Sequence, residues 1–177
     1  MLETIRRTAL LCALTIVAAP LLCADGDAFV KEAQTFASNS AAKFADLAEA
    51  IPAEKYTYRP GEGVRSVSEL FLHVASANYF VSRAMGMMPP EGLDLRGLEK
   101  STTGKQEIIS RMKMSFDHLK SAMGQFGAGD AEKPMKLFGR DTTARGAMTM
   151  AITHLSEHLG QSIAYARVNG VVPPWNQ

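Results

Sequence analysis

Residues 66–84, SVSELFLHVASANYFVSRA, decide the fold. Ser66 with Glu69 three positions later is a capping box, in which hydroxyl and carboxylate each satisfy a backbone N–H that a helix start leaves without a partner. Leu70, His73, Val74, Ala77, Val81 and Ala84 then recur at threes and fours, one face of an amphipathic helix. A histidine, His73, stands in that stripe where a hydrocarbon side chain is the default.

Three further stretches carry the same period. Upstream, Phe29, Ala33, Phe36, Ser40, Phe44, Leu47 and Ile51 predict a first helix that Pro52 ends, followed by a loop punctuated by Pro60, Gly61 and Gly63. Downstream, Thr103 and Gln106 form a second candidate capping box, and Ile108, Met112, Phe116, Leu119 and Met123 mark the buried face of a third helix. GAGDAEKP breaks it. A short extended piece, MKLFGRD, leads to Asp141 or Thr142 as the cap of the last helix. That helix runs to about Asn169, with Gly170 suited to the left-handed C′ position and Pro173 and Pro174 beyond. Four helices with short connections predict an all-α four-helix bundle.

Bulk composition agrees. The chain has 177 residues, 46% of them hydrophobic and 21% charged, enough for one globular domain with a sizeable core. Aromatic residues are few, while Ala and Met, both strong helix formers, are plentiful. The formal charge of +1 comes without a basic patch interleaved with aromatics, so nucleic acid is not expected as a partner.

The N-terminus reads as a targeting segment. Arg6 and Arg7 precede an apolar run from Ala9 to Leu22, and small residues follow at Ala24 and Gly26. The run is shorter than the roughly 20 residues that span a bilayer. Three fates compete: cleavage after Ala24 or Gly26, lipid attachment at Cys23, or retention as an anchor. Leu22 fits badly before a lipidated cysteine. The expected organisation is a signal peptide over residues 1–24 and a bundle domain over 25–177, exported to the periplasm or secreted, with no stable membrane span after cleavage. Cys12 and Cys23 would then both be lost, leaving no disulfide, thiol nucleophile or thiolate metal ligand. Any metal must be held by histidine and carboxylate.

ITHLSEHLGQS, residues 152–162, places His154 and His158 four apart. On the last helix they share a stripe with Ala147, Ala151, Gln161 and Tyr165, so the two imidazoles lie one above the other. The spacing alone is a weak motif. His73 on a second inward stripe strengthens it, because each unpartnered buried polar group costs about 1–3 kcal/mol. A divalent ion bound to one nitrogen of each ring removes that cost, and three protein ligands leave a position for water or substrate. His118, beside Asp117 and Lys120, reads as solvent-exposed. HLSEH also matches the inverted zincin pattern, but no Asp or Glu follows Glu157 to complete it, so the protease reading fails. Glu157 is expected to point to solvent. Tyr165, two turns beyond His158, is a candidate proton donor.

The combination of AIPAEKYTYRPGEGVRSVSELFLHVASANYF with the later THLSEHLGQSIAYARVNGVVPPW resembles the DinB/YfiT-like superfamily. The carrying features are Pro60-Gly61, Ser66 and Glu69 ahead of His73, the pair His154 and His158, then Gly160-Gln161, Arg167, Gly170 and Pro174. They span most of the chain from about residue 29 onward. The resemblance implies an up-down-down-up bundle with His73, His154 and His158 as ligands of a divalent metal such as Zn or Ni. One position departs: where family members often carry a tryptophan, just before the capping serine, this chain has Arg65. Understood relatives transfer low-molecular-weight thiols or isomerise substrates with their help. Export counts against carrying that chemistry over, since such thiols are cytosolic.

Three functions compete. The first is an exported metal-dependent hydrolase or transferase acting on a small molecule through metal-activated water. The second is a non-catalytic bundle that holds metal or ligand. The third is a metal-free helical bundle that pairs as a homodimer.

Overall fold

The computed structural model describes residues 22–176 apart from Ala128, with side chains from Ala28 onward. All but the last three residues of the expected signal peptide, residues 1–24, lie outside the described residues. Four helices dominate: α1 (Leu22–Ala50), α2 (Val67–Ala84), α3 (Lys105–Met123) and α4 (Ala144–Val168). The MKLFGRD segment folds back on itself as a hairpin, β1 (Pro134–Leu137) antiparallel to β2 (Arg140–Thr143). Its turn puts Phe138 at φ 50 and Gly139 at φ 78, two successive left-handed residues of the kind that tight hairpins favour.

The order of directions is up-down-down-up. Lys105 Nζ at the start of α3 bonds the carbonyls of Glu49 and Ile51 at the end of α1. Tyr165 near the end of α4 reaches the carbonyl of Arg65, just before α2. At the opposite end the Arg145 guanidinium, at the start of α4, lies 4.6 Å from the Phe29 ring near the start of α1. Both α1 and α2 pack on α3 and α4, so α1 and α2 sit on a diagonal. Because α2 and α3 are parallel neighbours, residues 85–104 must travel back the length of the bundle to join them. That return is ordered: Leu98 is buried, and Ser76 Oγ donates to the Leu95 carbonyl at 2.9 Å.

The core is centred on Phe44, whose ring lies 5.6 Å from Phe116 and 6.3 Å from Phe71. Tyr56 joins them beside Phe71, its buried hydroxyl donating to the Ala48 carbonyl at 2.8 Å. Two stripes shift from expectation. On α1 the buried line is Val30, Ala33, Ala37, Ser40, Phe44 and Leu47, and Phe36 is 40% exposed. The strict three-four spacing passes through Ala37, one residue after the phenylalanine. On α2 burial extends beyond one stripe to Phe71, Ala75, Asn78 and Ser82, because α3, α4 and the returning chain cover most of its circumference. Asn78 spans to α3, donating to Ser115 Oγ at 3.1 Å.

The caps separate what local sequence determines from what it does not. Ser66 and Glu69 form both bonds of the expected box. The Thr103–Gln106 box does not form: Gly104 is the N-cap of α3, and Thr102 accepts from its N–H while donating to Glu107. The cap of α4 is Thr143, bonded to the Gly146 N–H, because β2 continues through Thr142 and delays the helix. Gly170 takes φ 77, and the N–H groups of Gly170 and Val171 bond back to Arg167 and Ala166, a Schellman ending.

Two substitutions test these ends by chemical denaturation. Ser66→Ala removes the cap of α2 and is expected to cost about 1 kcal/mol. Gly170→Ala meets no atom within 4 Å, so its expected loss, also about 1 kcal/mol, comes from the left-handed backbone alone.

Candidate metal centre

His73 stands in the second turn of α2, and His154 and His158 on consecutive turns of α4 where the two helices pack antiparallel. The three rings converge, with centroids 5.2, 4.8 and 4.3 Å apart. One nitrogen from each lies within 4.8 Å of the other two. His73 Nε2 faces His154 Nε2 at 3.2 Å. Two ligands about 2.0–2.1 Å from one tetrahedral ion would stand about 3.3 Å apart, so this pair already has the required separation.

Two of the three outer nitrogens are occupied. His73 Nδ1 lies 3.1 Å from Glu99 Oε2, and His158 Nδ1 lies 3.0 Å from Gln161 Oε1. A carboxylate and an amide oxygen only accept, so both imidazoles carry their proton on Nδ1 and leave Nε2 as a lone pair. The amide orientation of Gln161 is consistent: its Nε2 donates to the Tyr165 hydroxyl at 3.1 Å, which donates to the Arg65 carbonyl at 3.2 Å. Arg65 Nε in turn bonds Glu99 Oε1 at 2.8 Å. Such outer bonds are what orient and strengthen metal-binding histidines.

With the Nε2 of His73 a lone pair, the 3.2 Å gap to His154 must hold a proton or a cation. Burial, then the neighbouring His158 and His73, then the positive Arg65, push the His154 imidazole down to about 4. Burial and Arg65 also lower His73, against the opposing pull of Glu99. His73 and His154 therefore favour the neutral form, the form that coordinates metal. His158 is buried, while His73 and His154 are half-buried, so the cluster borders solvent on one side. Three imidazoles with an accessible side could bind a divalent metal ion.

Tyr165, the candidate proton donor, is buried with its hydroxyl engaged at both ends by Gln161 and Arg65. Glu157 is exposed. His118 is not the exposed residue expected: its ring sits 5.0 Å from Tyr79 and its Nε2 3.4 Å from the Met87 carbonyl, because the returning chain covers that side of α3. Glu99 was missed by sequence reasoning. It lies in a stretch with no helical period, and the signal available was the run Leu93, Leu95, Leu98, apolar enough to pack.

The sequence pattern of the DinB superfamily matches residues 38–162, which include all three histidines. A DinB-like protein of Bacillus cereus ATCC 10987 superposes with a TM-score of 0.68 at 15% identity, over 82% of this chain and 93% of that one. A DinB-like protein of Bacillus subtilis gives 0.60 at 20% identity, over 82% and 94%. The mycothiol-dependent maleylpyruvate isomerase gives 0.59 at 15% identity, over 73% of this chain and 59% of that one. At these identities the likeness is one of fold. No curated protein matches by sequence. With the pattern covering well over half its length, the chain belongs to the DinB superfamily.

Proposed function

We propose that this protein is a metal-dependent enzyme, a hydrolase or transferase acting on a small molecule, with a divalent ion on His73, His154 and His158. The observation that carries the reading is the convergence of the three rings with the outer nitrogens of two already bonded. When bound, such an ion supplies a Lewis acid with an open coordination position. Glu99 and Gln161 fix the tautomers of His73 and His158. The low proton affinity of His154 keeps that ring available below neutral pH. Helices α2 and α4 hold the three donors rigidly, and the solvent-facing side admits a substrate. A bundle neighbour that is a mycothiol-dependent isomerase supports an enzymatic rather than structural role. Export remains part of the proposal, supported by Arg6, Arg7 and the apolar run that follows.

Elemental analysis of protein purified without a nickel column is the direct test. One Zn or Ni per chain is expected, lost in His73→Ala and His154→Ala while the helical circular dichroism persists. A wild-type chain that folds normally and takes up neither ion on dialysis overturns the reading.

The pH dependence follows from His154. In the unfolded chain its imidazole protonates near the ordinary value of about 6.5, but in the fold only near 4. Between those values the unfolded state binds the extra proton, so metal-free protein should lose stability as pH falls from about 6.5 toward 4. His154→Asn should flatten that slope in urea melts run across the same window.

A further inference from the structure

Beside the triad, on the side of Glu99 and Gln161, a cleft of about 530 Å³ opens to solvent, lined by Arg59, Arg65, Glu69, Glu99, Lys100 and Gln161 among others. The histidines are not part of its wall; Glu99 and Gln161, which bond His73 and His158, separate them from it. Three cations and two carboxylates leave the wall with one net positive charge. Those charges are not equally available. Arg59 is spent on Glu69 at 2.8 Å and on the Val64 carbonyl. Arg65 uses only Nε, on Glu99 Oε1, and its two terminal nitrogens have no partner among the described residues. Lys100 makes no ion pair among them and is exposed. A guanidinium that lines a cleft and is held through Nε by a carboxylate, its terminal nitrogens uncommitted, is preorganised to receive a second planar anion.

We propose that this cleft binds the carboxylate of a small organic acid on the terminal nitrogens of Arg65, with Lys100 adding attraction from the rim. The assignment rests on the metal-enzyme reading only in naming the bound acid a substrate; the cleft itself borders the outer, Nδ1 side of His73 and His158, across Glu99 and Gln161. The single net charge of the wall matches a monoanionic carboxylate better than a phosphate dianion. Arg65 is thus the residue that selects for a carboxylate.

The test titrates benzoate, acetate and inorganic phosphate into the full chain, metal-free and zinc-loaded, in low-chloride buffer. Binding is read from the NMR signal of the arginine Nε–H groups and from calorimetry. Benzoate and acetate are expected to bind in preference to phosphate, with affinity falling about tenfold or more in Arg65→Met, the scale of losing a charge-assisted hydrogen bond. Lys100→Met should weaken binding a few-fold and only at low salt. Arg65→Lys, which keeps the charge and drops the fork, should weaken it severalfold even if Arg65→Met fails to fold. Equal affinity in wild type and both Arg65 variants overturns the proposal, as does a preference for phosphate or an absence of carboxylate binding. Carboxylate binding that depends on Arg65 in a chain that takes no metal upholds it and sinks the metal reading. Zinc uptake with carboxylate affinity indifferent to Arg65 does the reverse.

Discussion

Parallel neighbours in a helical bundle cannot be joined by a tight turn, and much of this structure follows from that constraint. Helices α2 and α3 run the same way and pack side by side, so the chain leaving α2 at Ala84 must return to the other end before α3 begins at Lys105. A return of that length would be a floppy loop without its own anchoring. Here Leu98 is buried in the core and Ser76 ties down the Leu95 carbonyl. The outcome is that the end of the return, Leu98–Lys100, arrives beside the start of α2 with Glu99 at bonding distance from His73. Topology, rather than any local motif, delivers the carboxylate.

Helices carry the three histidines, while the outer partners come from two sources, Glu99 from the returning chain and Gln161 from α4 itself. His154 and His158 need only the pitch of α4 to align, and His73 needs only that α2 crosses α4 at its second turn. Both helices bury a face along their length, which gives the rings a rigid mount. The costs of burial fall unevenly: His158 is almost enclosed, whereas His73 and His154 reach solvent. That asymmetry suits a centre that must be held on one side and approached on the other.

The sequence made the helices and the inward placement of the three histidines legible because both are periodic. Ser66, Glu69 and Gly170 act through bonds within a few residues of themselves, and they behave as their neighbours dictate. Thr103 failed as a cap because Gly104, one residue on, can take the cap backbone while Thr102 serves it, a choice among adjacent residues that pattern does not rank. The stripe through Phe36 failed for a different reason: phenylalanine drew the reading toward itself, although Ala37 holds the position that faces the bundle. Glu99 was invisible because its role depends on a contact 26 residues away in sequence. His118 changed environment for the same cause, the returning chain covering a face that its own helix period marks as exposed.

Arg65 ties these long-range contacts together. Its Nε holds Glu99, which holds His73; its carbonyl accepts from Tyr165, which receives from Gln161, which holds His158. The chain of bonds therefore closes into a loop from one histidine to another through a single residue on the segment before α2. The two arms differ in kind. The Tyr165 arm ends on a backbone oxygen that any residue at position 65 would present, so the orientation of His158 does not depend on the side chain there. The Glu99 arm ends on a guanidinium nitrogen, so the orientation of His73 and the charge beside the cleft vary together with that side chain. A bundle built this way can alter the surroundings of His73 through position 65 while His158, on α4, stays where it is.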